Sequence, residues 1–456
     1  MKESLQSIIE KDQERAVKDY CTFLSFPSVS SEPKYKHELL RCVDWLQHYI
    51  SSMGFKTELW HAKEGHPILF AHYFVNANLP TLLIYNHYDV QPCDPLELWE
   101  TPPFEPALRE GEIYARGAQD NKGQCFYVLQ GLKALLQRDG QLPINVKLCI
   151  EGEEEIGSAS LEHILEKKKH ELQADYLAIV DLGIPSPTTP AITLGIRGIM
   201  TMDFELEGSA TDLHSGTHGG ITFNPIHGLI QVLGSLRDKK GRIAIPHFYD
   251  DVKEITEEDK KALNFNFNAE QYEMDFGAEA TGGEMAYSPA ERNGLRPTIE
   301  INGISGGYVG EGFKTVIPSK AHAKLSCRLV PNQNPEKIAQ LVKDFLVAST
   351  PKGLKATVHV HSGKGSAIRT SPNAKIIQAF ADSFKEVFHQ DCQFILSGAS
   401  IPIAARLAVA SQAEMALVGL GLATDQIHSP NEHFGLDRLQ KGALMIAKVI
   451  ERLANF

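Results

Sequence analysis

Apolar and polar positions along the chain change period twice, and the changes divide it into three stretches. In the first, short apolar runs at 68–74, 81–85, 145–150 and 176–181 read as strands, and a helix fits 121–137. Leu39, Val43, Leu46 and Ile50 recur at helical spacing ahead of Gly54, a residue suited to ending a helix. The charged opening, MKESLQSIIEKDQERAVKDY, reads as an amphipathic helix rather than a secretory signal. Strands alternating with helices predict a largely parallel sheet, and such sheets gather ligands beyond the carboxyl ends of their strands.

After Gly195-Ile196-Arg197-Gly198 the period drops to two. Met202, Phe204 and Leu206 alternate with Thr201, Asp203, Glu205 and Glu207, as a half-exposed strand requires. Ala321, Ala323, Leu325 and Cys327 repeat the pattern within 320–329, and Val358 and Val360 alternate with Thr357, His359 and His361. Helices are expected between these strands, at about 224–237 and 335–347. Residues 240–295 are polar and read as an insertion whose shape the pattern does not define. Beyond Ser371-Pro372 the first pattern returns, with helices at 373–389 and 401–409, a strand at 414–418 and an amphipathic helix through Leu439, Ala443, Ile446, Ile450 and Leu453. The predicted class is therefore α/β. A mostly parallel-sheet domain with helices on both faces, residues 1–197 and 372–456, is interrupted by a smaller α+β domain of antiparallel sheet plus two helices, residues 198–371.

At 456 residues the chain exceeds the size of a single core, in keeping with two domains. The net charge of −12 is spread through mixed acids and bases, without the basic block that a nucleic-acid surface needs. No stretch approaches the roughly 20 apolar residues of a membrane span. Seven cysteines without CxxC or Cys/His spacing point to reduced thiols and a cytoplasmic location. Cys149 and Cys327 lie in strand-like runs and read as small buried hydrophobes.

Chemistry enters where apolar runs end. The strand TLLIYNHYDV carries His87 and Asp89, two residues apart and so on one side of an extended chain, where Asp89 can fix the imidazole. Asp120 follows Arg116-Gly117 just ahead of a helix, as an N-cap or as a carboxylate able to bridge two cations. Glu153-Glu154-Glu155 follow another strand; they are either a solvated turn or a metal ligand beside a general base. Asp181 ends a fourth run, and His428 lies in a polar loop before the last helix. Two imidazoles and a surplus of carboxylates, with no cysteine among them, are the ligands of a hydrolytic site for one or two borderline divalent ions.

Further motifs make the pattern specific: Asp212-Leu213-His214-Ser215-Gly216, Lys314-Thr315-Val316-Ile317-Pro318, Arg328-Leu329-Val330-Pro331-Asn332 and Ser400-Ile401-Pro402. With them the chain resembles, over nearly its whole length, the cocatalytic zinc exopeptidase family of carnosinases, cytosolic nonspecific dipeptidases, acetylornithine deacetylases and succinyl-diaminopimelate desuccinylases. The resemblance is greatest to the dipeptidase branch. It implies two zinc ions per subunit, with manganese or cobalt as substitutes. His87, Asp120 and Asp181 would hold one ion; Asp120, Glu155 and His428 would hold the other. Glu154 would be the general base, Asp89 would orient His87, and the peptide bond after Asp120 would be cis. The inserted domain would serve as lid and dimerisation surface, and in a homodimer His214 would reach the partner's active site to stabilise the oxyanion. Arg328 would pair with a substrate carboxylate, with His361 and Ser400 lining the same pocket. Leu396 and Ala399 depart from the carnosinase-like pattern, which tends to carry Arg and a second Gly there.

The implied reaction is hydrolysis of an amide bond near a free carboxylate, on a dipeptide or short peptide. An N-acyl amino acid deacylase would share every metal residue and is the alternative within enzymes. A binding protein that had kept the fold without activity is opposed by the presence of both ligand set and Glu154.

Overall fold

The computed structural model describes residues 3–257, 263 and 266–456. Met1 and Lys2 of the predicted opening helix, and residues 258–262, 264 and 265 of the 240–295 insertion, lie outside the described residues. The chain forms two compact units: Met1–Leu194 with Thr370–Ile395 and Ile403–Phe456, and Gly195–Arg369 with Leu396–Pro402.

The first unit is built on a mixed sheet. Its centre is parallel, in the order Asn145–Glu151, Thr81–His87, Tyr176–Val180, Glu414–Val418. These strands are apolar almost throughout, as strands covered on both faces must be; Tyr176–Val180 is buried at every position. Antiparallel strands flank the centre. Ile68–Tyr73 and then Lys56–Trp60 lie on one side, and Ala191–Ile196 on the other. Periodicity alone does not distinguish these edges from the parallel centre, so the sheet is more mixed than the sequence pattern suggests. Lys122–Asp139 and the amphipathic Leu436–Leu453 pack on each other as the main helical pair, and Gly140 closes the former in the left-handed conformation. The opening segment forms two helices, Leu5–Lys11 and Gln13–Leu24, instead of one.

Register determines where the functional loops emerge. His87 lies opposite Glu151, and Val418 opposite Val180, so the parallel strands end nearly flush. The loops that leave them carry Asp89, Glu154, Glu155 and Asp181 to one edge.

The second unit is a four-stranded antiparallel sheet in the order Thr298–Gly306, Lys320–Leu329, Gly198–Glu207, Lys355–Val360. Alternate residues of Gly198–Glu207 are buried, and Met200, Met202, Phe204 and Leu206 face the helices Pro225–Gly234 and Pro335–Ala348. Burying each large side chain here contributes about 1.5–3 kcal/mol. The opposite face stays polar. Just past the insertion, the Arg296 guanidinium lies over the rings of Tyr249 and Tyr287 and is clamped by Glu284 at 2.9 and 3.0 Å. Among the described residues no helix is long and apolar enough to cross a membrane.

Candidate metal centre

Five side chains of the first unit meet at the carboxyl edge of its parallel strands. His87, the last residue of its strand, is fully buried. Its Nε2 stands 3.2 Å from Asp120 Oδ1 and 3.6 Å from Asp181 Oδ1. His428 Nε2 stands 3.0 Å from Asp120 Oδ2 and 3.4 Å from Glu155 Oε2. Asp120 thus turns one oxygen to each imidazole. The candidate ligand atoms of His87, Asp120 and Asp181 lie within 4.8 Å of one another, as do those of Asp120, Glu155 and His428.

Local structure explains each placement. The helix begins at Lys122 with Asn121 as its N-cap, so Asp120 is not spent on capping and its side chain is free to face the cluster. The Asp120–Asn121 peptide is cis. Gly117 has φ +81°, and a Cβ there would lie 2.6 Å from a Val90 methyl, so only glycine fits this tight turn. Asp89 is buried, and its carboxylate accepts the backbone N–H groups of Glu154 and Glu155 at 3.2 and 3.1 Å and the Ser30 hydroxyl at 2.7 Å. His87 Nδ1 faces the Asp89 carbonyl at 3.1 Å and its carboxylate at 3.4 Å. One aspartate therefore fixes both the imidazole and the glutamate loop, a wider duty than the sequence suggested. Gln91 donates to Glu155 Oε2 at 2.8 Å.

Two residues that the motifs did not reveal complete the frame. Asn121 donates to Val180 O at 2.9 Å and to Asp181 Oδ1 at 2.5 Å, while accepting from Asn86 at 2.7 Å. Glu432, fully buried, accepts from the Asp120 backbone.

The donor set fits divalent cations. His87 Nδ1 faces the Asp89 carbonyl and so carries a hydrogen, while Nε2 faces two carboxylate oxygens; neither that buried nitrogen nor Glu155 Oε1 has a well-formed hydrogen-bond partner. Electron-rich atoms converging in this way are stable only around positive charge. The titration directions show the surplus of negative charge: against burial, Asp181 and its neighbours raise His87 well above the usual imidazole range, and Asp120 and then Glu155 take His428 to about 10. Burial, and then the acidic neighbours, push Glu154 well above the usual carboxylate range, and burial followed by Asp120 takes Glu155 to about 7. Burial also raises Asp181, against the pull of His87. Asp120 is the exception, since the neighbouring His428 and His87 imidazoles overcome its burial and hold it low. Carboxyls crowded toward neutrality become anionic again beside a dication.

The second unit carries the remaining predicted residues. His214 is exposed, and its Nδ1 accepts from Gly216 N at 3.0 Å, which leaves Nε2–H as an outward donor. Arg328 Nη1 donates to Ser400 Oγ at 2.7 Å, and Ser400 Oγ donates to the Arg197 carbonyl. No carboxylate pairs with Arg328 among the described residues. Arg197 lies close enough to feel its charge; burial, then Arg328, lowers Arg197 to about 10. His361 lies beyond Lys355–Val360 and pairs with Asp203 at 3.0 Å.

A shared aspartate between two histidine–carboxylate sets, at the strand ends of this sheet, offers the ligands that metal-dependent hydrolysis requires. Residues 83–452 match Peptidase family M20/M25/M40, and the chain belongs to that family. It falls close to the dipeptidase branch. It is 29% identical to the Cys-Gly metallodipeptidase dug1 of Schizosaccharomyces pombe, over 99% of this chain and 98% of that one. It is 32% identical to the Beta-Ala-His dipeptidase of Mus musculus, over 85% and 80%. Among solved structures, the M20 family metallo-carboxypeptidase Sso-CP2 from Sulfolobus solfataricus superposes with a TM-score of 0.87 at 33% identity, covering 97% and 99% of the two chains. Human carnosine dipeptidase 1 superposes with a TM-score of 0.83 at 28% identity over the full length of both.

Proposed function

We propose that this chain is a dipeptidase with two zinc ions per subunit, hydrolysing the amide bond of dipeptides or short peptides that end in a free carboxylate. One observation carries the reading: Asp120 offers its two oxygens to two separate imidazoles, each with a further carboxylate beside it. His87, Asp120 and Asp181 would hold one ion and Asp120, Glu155 and His428 the other. Bound there, the pair supplies Lewis acidity toward water and toward the scissile carbonyl. The relatives named for Cys-Gly and β-Ala-His support a dipeptide as substrate.

The chain's own groups do the rest. Glu154, whose carboxyl the buried site pushes toward higher pKa, takes the proton from the attacking water and returns it to the leaving amine. Asp89 holds His87 and the glutamate loop in register. Arg328, half-buried and lacking an acidic partner of its own among the described residues, binds the substrate carboxylate with Ser400 beside it. His214 Nε2–H serves as oxyanion donor, supplied to the partner's site in a homodimer. Exposed Ile221, Ile230, Val309 and Phe313 in the second unit support a surface that a second copy covers. The reduced cysteines fit a cytoplasmic setting.

Zinc-reconstituted protein should turn over dipeptides faster than N-acetyl or N-succinyl amino acids; the reverse ranking would make it a deacylase. Glu154→Gln should keep its zinc and lose turnover by about 10²–10⁴-fold. Loss of zinc in that variant would reassign Glu154 from base to ligand.

A further inference from the structure

Glu432 takes no part in the chemistry above, yet among the described residues no other carboxylate of the first unit receives as many backbone donors. Oε1 accepts the N–H of Gln119 and of Asp120, both at 3.0 Å. Oε2 accepts the N–H of Gly117 at 2.8 Å and Arg116 Nη1 at 2.8 Å. Its own carbonyl accepts Ala115 N at 3.0 Å. Arg116 in turn donates to Pro92 O at 3.0 Å and stacks on Trp99. The Arg116 and Glu432 side chains are each 1% exposed.

A buried anion is tolerated only when its lone pairs are filled, and here four donors fill them. Three of those donors are amides of the turn that delivers Asp120. Glu432 also lies four residues beyond His428, in the same loop. A single carboxylate thereby ties the backbone of the shared aspartate to the loop of the second imidazole.

We propose that Glu432 is a positioning residue for the dinuclear centre, setting the place of Asp120 relative to His428 and so the affinity for both ions together. The inference rests on the metal reading above and adds to it a residue that touches neither ion. Its signature is joint loss. Asp120 belongs to both ligand sets, so displacing its backbone weakens both ions, whereas Asp181→Asn should weaken chiefly one.

The test uses the full chain and zinc itself, with affinities read by chelator competition and the ligand field by cobalt(II) absorption. In Glu432→Gln an NH₂ must face two of the N–H donors that a carboxylate oxygen satisfied. Both zinc affinities should fall by about ten- to a hundredfold, with a changed cobalt spectrum. Glu432→Asp keeps the charge but is one methylene too short to meet all four donors, and should fall between; it serves if the glutamine variant does not fold. A variant that melts earlier without metal, yet binds zinc and cobalt as the parent does, would overturn the proposal and leave Glu432 as a structural brace. A parent chain that binds no zinc would sink the metal reading itself, which the unmutated control reports separately.

Discussion

Asn121 shows how much of the centre depends on residues without metal chemistry of their own. Its amide donates to Asp181 and to the Val180 carbonyl, holding the Asp181 carboxylate toward His87. Asn121→Ala should therefore lower zinc affinity by about ten- to a hundredfold while the fold persists. Chelator competition measures this, and an unchanged affinity would mean that Asp181 needs no such support. The convergence of His87, Asp120, Glu155, Asp181 and His428 was legible in sequence for a physical reason. Each follows an apolar run or interrupts a polar loop at a point where burying an acid or imidazole brings no packing gain. Asn121 and Glu432 were not legible, because neutral amides and lone acids in turns have many ordinary uses. Their partners here lie 60 and about 312–316 residues away, beyond any spacing rule.

At the level of elements, periodicity served well where one face of a helix or strand is buried. Pro335–Ala348 buries Ile338, Ala339, Val342 and Leu346 in one stripe, starts with Pro at its first turn, and is capped by Asn334, which accepts Lys337 N at 2.9 Å. Asn334→Ala should cost about 0.5–2 kcal/mol of stability, read from the midpoint of urea unfolding of the second unit. No change would mean that packing alone holds the helix start. Periodicity failed in the 240–295 insertion. There Glu284 clamps Arg296, just past the insertion, whose guanidinium lies over the Tyr249 and Tyr287 rings, and such contacts leave no period in the sequence. It also left the sheet edges open, since Ile68–Tyr73 reads as a buried strand whichever way its neighbour runs.

For the whole molecule, the proposed sharing of His214 between subunits makes a distinctive demand. His214→Ala and Glu154→Gln should each be inactive alone and keep their zinc. Mixed and allowed to exchange, they should recover up to about a quarter of the parent activity, because half the dimers would hold one intact site. No recovery after verified exchange would mean that each site is built within one chain. The order of the central strands carries a separate consequence. Glu414–Val418 fits between Tyr176–Val180 and Ala191–Ile196, both made long before it. While the ribosome is still translating the middle of the message, the nascent sheet has an unfilled slot and bare amide edges at its heart. Chaperone protection should matter most during that interval, and the second proposed ligand set is complete only after synthesis has passed His428.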